Sequence, residues 1–520
     1  MARSRRLPLI GFVAAALVTA GCFLPVVVPP ITESGTPTPQ PSGTPQPGAA
    51  TAWRDCRDVP TQLVGRAAPG MTYECTTIKV PKDWAKPGGV TLDLALLRIR
   101  SRGQHDRIGS LVLNPGGPGA SGIDTAVYLS FGPGFGGLPH EVTDRFDIVG
   151  FDPRGVGRSS PVRCIPDDVL DKVFGYEPDP RTQAEFDGFV TLTRSVAEGC
   201  AAKYGDDLRL YSTEQAAHDM DAIRTAVGDA KTTYLGFSYG TLLGATYAQL
   251  FPDKVRALVL DGAVDPKASA VAASEGQAKG FEQAFNNFAA WCRTAGSDCP
   301  IAPDARAAVN DVMAKARAAP VRGGDGREAT AGWVFNAIVS ALYTESAWKD
   351  LASAIHDLGN GQPDGVFHLA DQYAQRDDQG HYSNLFDAFY TVGCADDPST
   401  ISPERIRALQ SDWRRKYPLF GPNLAVTLLQ CAEWKTPRDP YPTGAAKGAP
   451  PIVVVGTTGD PATPYAQTAK LATMLGVGHV LTWEGEGHTA YPNTKCITDA
   501  VDAYLIDLRV PPEGQRCPAR

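Results

Sequence analysis

Short apolar runs and amphipathic runs alternate along most of this chain. Apolar runs typical of buried strands occupy residues 76–81, 91–100, 109–113, 146–151, 256–260, 451–455 and 479–483, and a further run leads into Ser238. Amphipathic runs with helical spacing lie between them, the clearest at residues 214–227, 465–475 and 496–508. Strands that alternate with helices predict an α/β fold with a mostly parallel sheet.

The stretch 266–440 departs from this alternation. Helical spacing dominates it, as in the four-residue spacing of Phe281 and Phe285. We therefore predict a mainly helical insertion that covers the sheet as a lid. This insertion divides the α/β core into residues 53–265 and 441–520.

Residues 1–22 have the features of an export signal. Three arginines precede an apolar run at residues 7–20, which is too short for a membrane span. Small residues followed by Cys22 resemble the lipobox of bacterial lipoproteins, in which that cysteine carries the lipid. Cys22 is therefore the predicted lipidation site of a cell-envelope lipoprotein. Simple secretion without lipid is the alternative, and Arg5-Arg6 leaves a twin-arginine signal open.

Residues 23–52 are rich in proline, threonine, glycine and serine and are predicted to form an extended linker. The whole chain carries a net charge of −8 without a basic stripe, which excludes nucleic acid as an expected partner. A membrane is expected to contact the protein only through the N-terminal lipid anchor.

Ten cysteines follow Cys22, an even number without the Cys-x-x-Cys pairs of metal sites. In an exported protein this pattern favours disulfides, and neither a metal site nor a cofactor is predicted. Spacing alone leaves the connectivity open. The closure of short loops favours pairing neighbours in chain order: Cys56–Cys75, Cys164–Cys200, Cys292–Cys299, Cys394–Cys431 and Cys496–Cys517.

The sequence Gly236-Phe237-Ser238-Tyr239-Gly240 joins an apolar run to an amphipathic one. A strand, a tight turn and a helix are thus predicted to meet at Ser238, the geometry of a nucleophile elbow. Both glycines are required because a Cβ at either position would collide with the strand or the helix. Ser238 is the predicted nucleophile, and a glycine-containing turn with an incidental serine is the alternative.

A serine hydroxyl needs a base to remove its proton and a carboxylate to orient that base. His488 lies in a glycine-flanked loop after the last predicted strand and is the candidate base. Asp460 follows the penultimate strand and is the candidate acid. Asp261, at the end of the strand after Ser238, is the alternative acid. The order serine, acid, histidine is that of α/β-hydrolases.

Another strand runs into loop 114–119, Asn-Pro-Gly-Gly-Pro-Gly, which leaves main-chain N–H groups free. The Gly117 and Tyr239 N–H groups are predicted to form an oxyanion hole. A plain glycine-rich turn is one alternative, and a phosphate-binding loop is another, although it would require a following Lys-Ser/Thr pair. In the turn at residues 152–159, Arg154 is expected to make internal hydrogen bonds rather than to bind substrate.

Six short motifs together resemble a known family. They are Asn-Pro-Gly-Gly-Pro-Gly, Phe-Asp-Pro-Arg-Gly, Gly-Phe-Ser-Tyr-Gly-Thr, Asp-Gly-Ala-Val-Asp-Pro, Gly-Asp-Pro-Ala-Thr-Pro and Gly-His-Thr. The chain after Trp53 is similar to exported tripeptidyl-aminopeptidase-like hydrolases of actinobacteria, with their TAP-like C-terminal segment. That family includes mycobacterial cell-envelope serine proteases also described as carboxylesterases. The resemblance implies a serine exopeptidase that acts on peptide or protein substrates and releases short peptides, such as tripeptides, from free N-termini.

Two other functions stay open at this point. A carboxylesterase or lipase acting on small or cell-envelope esters would proceed through the same kind of acyl-enzyme. A non-enzymatic surface protein would keep the fold only as a scaffold, which an intact set of serine, histidine and aspartate disfavours.

An aminopeptidase must recognise a cationic α-amine, and a carboxylate in a dry pocket suits that charge. Within the insertion, Asp396 and Asp397 follow Cys394, whose predicted disulfide would fix their position. Asp396 is the first candidate for binding the substrate N-terminus, and Asp397 is the second. A solvated acidic turn or a helix cap is the alternative for both.

Overall fold

The structure, a computed structural model, describes residues 51–519. The predicted signal segment, the lipidation site Cys22 and nearly all of the linker lie outside these residues, and their assignments stay predictions. Within the described range, no helix is both long and apolar enough to span a lipid bilayer.

Twelve strands form two sheets in the described part of the chain. In chain order they are β1 (Arg54–Asp55), β2 (Met71–Pro81), β3 (Thr91–Ser101), β4 (Gly109–Asn114), β5 (Phe146–Phe151), β6 (Thr232–Phe237), β7 (Val255–Asp261), β8 (Val321–Arg322), β9 (Glu328–Ala329), β10 (Ile452–Gly459), β11 (Gly478–Glu486) and β12 (Gln515–Pro518).

The central sheet has the strand order β1-β2-β3-β5-β4-β6-β7-β10-β11-β12, and β8 and β9 form a separate pair. Every neighbouring pair from β5 to β12 in this order is parallel. The pairs β1–β2, β2–β3 and β3–β5 are antiparallel. The predicted α/β fold with a mostly parallel sheet is thereby confirmed.

The α-helices of the described residues follow in chain order. They are α1 (Asp58–Val64), α2 (Gly122–Leu129), α3 (His140–Thr143), α4 (Asp167–Phe174), α5 (Gln183–Tyr204), α6 (Thr213–Val227), α7 (Tyr239–Leu250), α8 (Ala270–Cys292), α9 (Ala305–Ala318), α10 (Ala331–Leu342), α11 (Trp348–Gly359), α12 (Asp364–Ala374), α13 (Leu385–Asp396), α14 (Pro403–Lys416), α15 (Gly421–Val426), α16 (Leu429–Ala432), α17 (Ala466–Leu475) and α18 (Lys495–Asp507). Short 3₁₀ turns lie at Pro133–Phe135, Gly205–Tyr211, Pro252–Lys254, Gly296–Asp298 and Glu345–Ala347.

The parallel strands are apolar at successive positions because helices cover both faces of the sheet. On β4, Leu111 and Leu113 pack in the cluster that includes residues of α2 and α18. Val112, between them, packs in the cluster that includes residues of α6 and α7. On β10, Val453 and Val454 divide between the same two clusters. Alternate side chains therefore bury opposite faces, which explains the short continuous apolar runs in the sequence.

The residues predicted to form the insertion, 266–440, contain helices α8 to α16 and the strand pair β8–β9. Their buried cluster includes Phe285 and Trp333. The same cluster includes Phe174 of α4, whose ring stacks on Trp333 with 6.0 Å between centroids. Apolar residues across segment 165–208 join this cluster as well. The sequence assigns that segment to the α/β core, but the structure packs its apolar face against the insertion.

Arg154 makes the internal hydrogen bonds that the sequence predicts. Its guanidinium is fully buried and donates to both carboxylate oxygens of Asp219, at 2.7 and 2.6 Å. It also donates to the main-chain oxygens of Pro81, Lys82 and Leu210. Because the planar guanidinium has five donors in a rigid fork, one side chain ties the turn after β5 to β2 and α6.

Five disulfides pair ten cysteines in chain order: Cys56–Cys75, Cys164–Cys200, Cys292–Cys299, Cys394–Cys431 and Cys496–Cys517. The fourth joins α13 to α16 within the insertion, and the fifth joins α18 to the edge strand β12. Each bridge links segments that are near in sequence, so it reinforces local packing rather than joining distant parts of the molecule.

We expect reduction to lower the thermal stability of the protein, because loss of a native disulfide typically costs about 2–5 kcal/mol. Thermal unfolding with and without dithiothreitol measures this effect. The matched control is Cys22→Ser, which removes the cysteine outside the five bridges. After denaturation without reductant this variant should contain almost no free thiol, and several free thiols would contradict the five-bridge arrangement.

Candidate active site

Ser238 lies between the end of β6 and the first residue of α7. Its backbone has φ 55° and ψ −123°, a conformation that is strained for a residue with a side chain. Its N–H donates to the main-chain oxygen of Asp261 at 2.8 Å, which anchors the turn to the neighbouring strand β7. The strand, turn and helix predicted around Ser238 are present, with the serine half-buried at the strand's carboxyl end.

Three glycines make room for this turn. A Cβ on Gly236 would clash with the main-chain oxygen of Gly240, and one on Gly240 would lie 2.7 Å from the main-chain oxygen of Asn114. A Cβ on Gly116 would lie 2.9 Å from the Ser238 Cβ. Such contacts are too short for real side chains, so the predicted need for glycine at positions 236 and 240 is confirmed.

Loop 114–119 packs directly on the elbow. The Asn114 Oδ1 accepts the Gly116 N–H at 3.0 Å, and Gly116 and Gly117 have φ of 98° and 105°. A Cβ on Gly116 would come within 3.0 Å of the Tyr239 nitrogen, so the loop and the first turn of α7 are neighbours. Among the described residues, neither the Gly117 nor the Tyr239 N–H has a protein acceptor. Both predicted oxyanion donors therefore lie at the edge that carries Ser238.

His488 contacts Asp460 through its Nδ1 atom. The two carboxylate oxygens lie 3.0 and 2.9 Å from Nδ1, and the His488 and Asp460 side chains are 10% and 0% exposed. A carboxylate on Nδ1 favours the tautomer that leaves Nε2 free to accept a proton.

The Asp460 carboxylate is held by the turn that follows it. It accepts from the Ala462 N–H at 2.9 Å and from the Thr463 N–H at 2.8 Å. The Thr463 hydroxyl donates to the other oxygen at 2.9 Å. Thr463 is not among the residues predicted from the sequence, although a threonine three residues after an aspartate in a loop is typical of such side-chain turns.

The imidazole of His488 lies beside the serine elbow. A Cβ on Gly262 would be 3.2 Å from the His488 Cε1 atom. Gly262 directly follows Asp261, whose main-chain oxygen accepts the Ser238 N–H. The structure thus brings Ser238, His488 and Asp460 to one edge of the sheet.

Asp261, the alternative acid, has a different role in the structure. Its fully buried carboxylate accepts from the Ala490 N–H at 2.9 Å and from the Tyr491 N–H at 2.7 Å. Burial raises the pKa of Asp261 to about 6, although these two N–H groups act in the opposite direction. Asp261 therefore holds the main chain just after His488, whereas Asp460 contacts the imidazole.

The electrostatics of His488 combine two opposed effects. Burial disfavours the imidazolium and by itself lowers the pKa. The charge of Asp460 and its hydrogen bond to Nδ1 favour the imidazolium and outweigh burial, so the pKa of His488 is raised above its ordinary value of 6.5. A raised pKa makes the neutral ring a stronger base once the pH exceeds it.

Asp396 and Asp397 are occupied by protein donors. Asp396 is buried, and its two oxygens accept from the Thr213 N–H at 2.8 Å and from the Thr213 hydroxyl at 2.6 Å. Burial raises the pKa of Asp396 to about 7. Asp397 accepts from the N–H and hydroxyl of Ser399, at 2.8 and 2.6 Å.

This geometry favours a structural role for both acids over the amine-binding role that the sequence analysis gave them. The Thr213 hydroxyl also lies 2.6 Å from the Tyr239 hydroxyl. Asp396 thus connects the end of α13 to the first turns of α6 and α7. In residues 51–519, neither carboxylate contacts Ser238, Asp460 or His488.

Two family models match the chain. One, described as alpha/beta hydrolase fold, matches residues 109–310, and another, described as TAP-like protein, matches residues 417–517. The first covers β4, the serine elbow and β7, and the second covers Asp460 and His488. The residues brought together in the structure therefore divide between the two matched regions.

Curated relatives align along nearly the whole chain. Serine protease Hip1 of Mycobacterium tuberculosis (strain ATCC 25618 / H37Rv) is 38% identical over 91% of this chain and 92% of its own length. Carboxylesterase B of the same strain is 36% identical over 99% of both chains. Tripeptidyl aminopeptidase of Streptomyces lividans is 32% identical over 85% of this chain and 83% of its own length. The resemblance drawn from the six motifs is confirmed.

We expect Asp460→Asn to lower kcat by about 10⁴, because asparagine in the acid's place stabilises the wrong imidazole tautomer. The matched control is Asp261→Asn, which keeps the Asp460–imidazole contact, removes a more remote charge and weakens the hydrogen bonds to the following main chain. It should lower the melting temperature but reduce kcat far less. Hydrolysis of p-nitrophenyl acetate and thermal unfolding measure both effects, and the opposite ranking in kcat would assign the acid to Asp261.

The pH dependence of kcat/KM should report the raised pKa of His488. Only the neutral imidazole accepts a proton, so activity should fall as the pH drops, with its midpoint above 6.5. Asp460→Asn removes the charge that raises the pKa, so the midpoint of its residual activity should move to lower pH. Profiles of both proteins with p-nitrophenyl acetate test this, and an unchanged midpoint would separate Asp460 from the titrating group.

Proposed function

This chain belongs to the α/β-hydrolase family with a TAP-like C-terminal segment, and on that premise we propose that it is an exported peptidase using a Ser-His-Asp triad. The chain is a serine hydrolase. In the proposed reaction it releases short peptides, such as tripeptides, from substrates with free N-termini. The observation that carries the proposal is the His488 imidazole, whose Nδ1 atom lies 2.9 Å from the Asp460 carboxylate. Its Cε1 atom lies beside Gly262, the residue that follows the strand end binding the Ser238 N–H.

The proposed reaction begins at the Ser238 hydroxyl. His488 accepts its proton as the serine oxygen attacks the carbonyl carbon of the scissile peptide bond, and Asp460 stabilises the imidazolium that results. The Tyr239 and Gly117 N–H groups donate to the oxyanion of the tetrahedral intermediate. His488 then returns the proton to the leaving amine, which departs with the rest of the substrate. The N-terminal peptide stays bound to the Ser238 oxygen as an ester.

Water completes the reaction by the same route. His488 removes a proton from a water molecule that attacks the acyl-enzyme, and the peptide leaves with a new carboxylate as the Ser238 hydroxyl is restored. Each group is used twice, so the geometry needs to be held through both steps. Five groups lie within hydrogen-bond distance of the Asp460 carboxylate: the imidazole, the Thr463 hydroxyl and the N–H groups of Ala462, Thr463 and Thr489. These contacts support such a fixed arrangement.

Carboxylesterase activity is the second candidate, because ester and peptide hydrolysis share the acyl-enzyme. The name of the relative that is 36% identical supports this alternative, whereas the names of the relatives at 38% and 32% identity support the peptidase. Binding of the substrate's α-amine separates the two reactions. Since Asp396 and Asp397 already accept from neighbouring groups, we do not assign the amine to either of them.

Export is part of the proposal. Five disulfides favour an oxidising compartment, where such bonds persist. Together with the N-terminal signal pattern, they support a cell-envelope lipoprotein anchored at Cys22 or a secreted protein. The substrates would then be peptides or proteins outside the cytoplasm.

The peptidase proposal predicts that trialanine p-nitroanilide is cleaved much better than its N-acetylated form. Loss of a charge-assisted hydrogen bond of about 1.5–3 kcal/mol corresponds to a fall of about 10- to 150-fold in kcat/KM. Ser238→Ala is the control, and it should lower kcat by about 10⁶ on both peptides and on p-nitrophenyl acetate. Equal cleavage of free and acetylated peptides would favour the esterase, and substantial activity of Ser238→Ala would remove Ser238 from the mechanism.

A further inference from the structure

Three consecutive residues at the end of β11 and in the loop after it contact the insertion. The Glu486 carboxylate accepts both of its hydrogen bonds from the Asn287 side-chain amide of α8, at 2.9 and 3.0 Å. Gly487 pairs with Thr344 in an isolated antiparallel bridge. The His488 N–H donates to the main-chain oxygen of Tyr343, at the end of α10, at 2.8 Å. The candidate base is therefore bound to the insertion by its own main chain.

Gly487 permits this close approach of two backbones. A Cβ at this position would lie 2.8 Å from the Tyr343 oxygen and 3.3 Å from the Thr344 Cα atom. Gly487 also has φ 104°, a conformation that side chains rarely adopt. The glycine before the histidine is thus required by the contact with the insertion as well as by the turn itself.

The ring of Tyr343 contacts the imidazole directly. The two ring centroids are 5.2 Å apart and the planes are nearly perpendicular, at 86°. Tyr343 is itself supported by Phe281 and Tyr373, whose centroids lie 6.0 and 6.1 Å away. The packed ring faces the same imidazole that Asp460 holds at Nδ1, so His488 has one polar and one aromatic support.

We propose that Tyr343 is a positioning residue for His488, which makes the insertion part of the support of the base. The proposal rests on the proposed role of His488 in the reaction. A hydrogen bond at Nδ1 still allows the ring to tilt, whereas an aromatic ring packed against it restricts the tilt. The same ring keeps water away from the Nδ1–carboxylate bond. The groups that face the imidazole are then Asp460, Asp261 and Thr463 from the α/β core, and Tyr343 from the insertion.

The test compares Tyr343→Leu with the conservative Tyr343→Phe. Edge-to-face ring contacts contribute about 0.5–1.5 kcal/mol, so Tyr343→Leu should lower kcat about 2- to 13-fold. A small ester, p-nitrophenyl acetate, keeps substrate binding out of the comparison, and KM should change little. The rate of inactivation by diisopropyl fluorophosphate, which reports the reactivity of the serine, should fall by the same factor. Tyr343→Phe, which keeps the ring, should react at close to the wild-type rate.

A pH profile provides a readout that loss of packing elsewhere in the insertion would not move. Water admitted by Tyr343→Leu would relieve the burial that disfavours the imidazolium, so the acid limb of kcat/KM should shift to higher pH. Phe335→Leu is the matched control, because Phe335 lies on the same helix, α10, and packs on Phe420 within the insertion. It should lower thermal stability without changing the inactivation rate or the pH profile.

If Tyr343→Leu does not fold, Asn287→Ala provides the second test, because it removes the donor to Glu486 from a half-buried helical position. It should lower the inactivation rate in the same direction. The proposal would be overturned if folded Tyr343→Leu were inactivated at the wild-type rate. It would also be overturned if Tyr343→Phe or Phe335→Leu lost as much of the inactivation rate as Tyr343→Leu. Failure of the wild-type protein to react with the fluorophosphate, or equal reaction of Ser238→Ala, would instead refute the proposed function.

Discussion

The strained backbone of Ser238 is the constraint on which the arrangement of this site depends. Ser238 has a positive φ with a ψ of −123°, and the chain packs closely around it, with glycines at 116, 236 and 240 providing the space. Because the same contacts join β4, β6 and α7, they also bring loop 114–119 against the first turn of α7. One set of backbone contacts therefore positions the Ser238 hydroxyl together with the Gly117 and Tyr239 N–H groups.

The histidine is held from three directions by separate segments of the chain. Asp460 contacts the ring from the end of β10, and Asp261 at the end of β7 binds the main chain beyond it. Tyr343 contacts both the ring and the main chain from the insertion. The neighbouring carboxylates oppose the effect of burial on the imidazolium, which explains how a nearly buried histidine has a raised pKa. The pKa of a histidine in such a site depends both on the neighbouring charges and on its burial.

The sequence predicted the strands, helices and turns that depend mainly on residues close together in the chain. Parallel strands buried on both faces give continuous apolar runs, and the Gly-x-Ser-x-Gly pattern marks a turn whose glycines make room for close backbone contacts. Strands β1 and β12 were missed because they are only two and four residues long, too short for a period. Helix α2 was missed because nearly all of its residues are buried, which removes the polar face that marks an amphipathic helix.

Contacts between residues that are far apart in the sequence could not be predicted from local patterns. Nothing near Asp396 in the sequence indicates that its partner is Thr213, far earlier in the chain. The alternatives to amine binding were a solvated acidic turn or a helix cap, and neither predicts this buried contact. Tyr343 ends an apolar helix, and helical spacing alone does not indicate that it contacts a histidine in the C-terminal part of the chain. The contact between Asp460 and His488 could be predicted, because these residues follow the adjacent strands β10 and β11, whose carboxyl ends share one edge of the sheet.

The packing of segment 165–208 with helices α8 to α16 has a consequence for protein engineering. The packing unit that contains the insertion is not one continuous piece of chain, because α4 and α5 contribute to the same hydrophobic cluster as the helices of the insertion. A chimera that transplanted residues 266–440 alone would leave Phe174 without Trp333 in the donor and a gap at the same place in the acceptor. Exchange of the insertion between related enzymes would therefore need both segments to move together, because they bury one hydrophobic cluster.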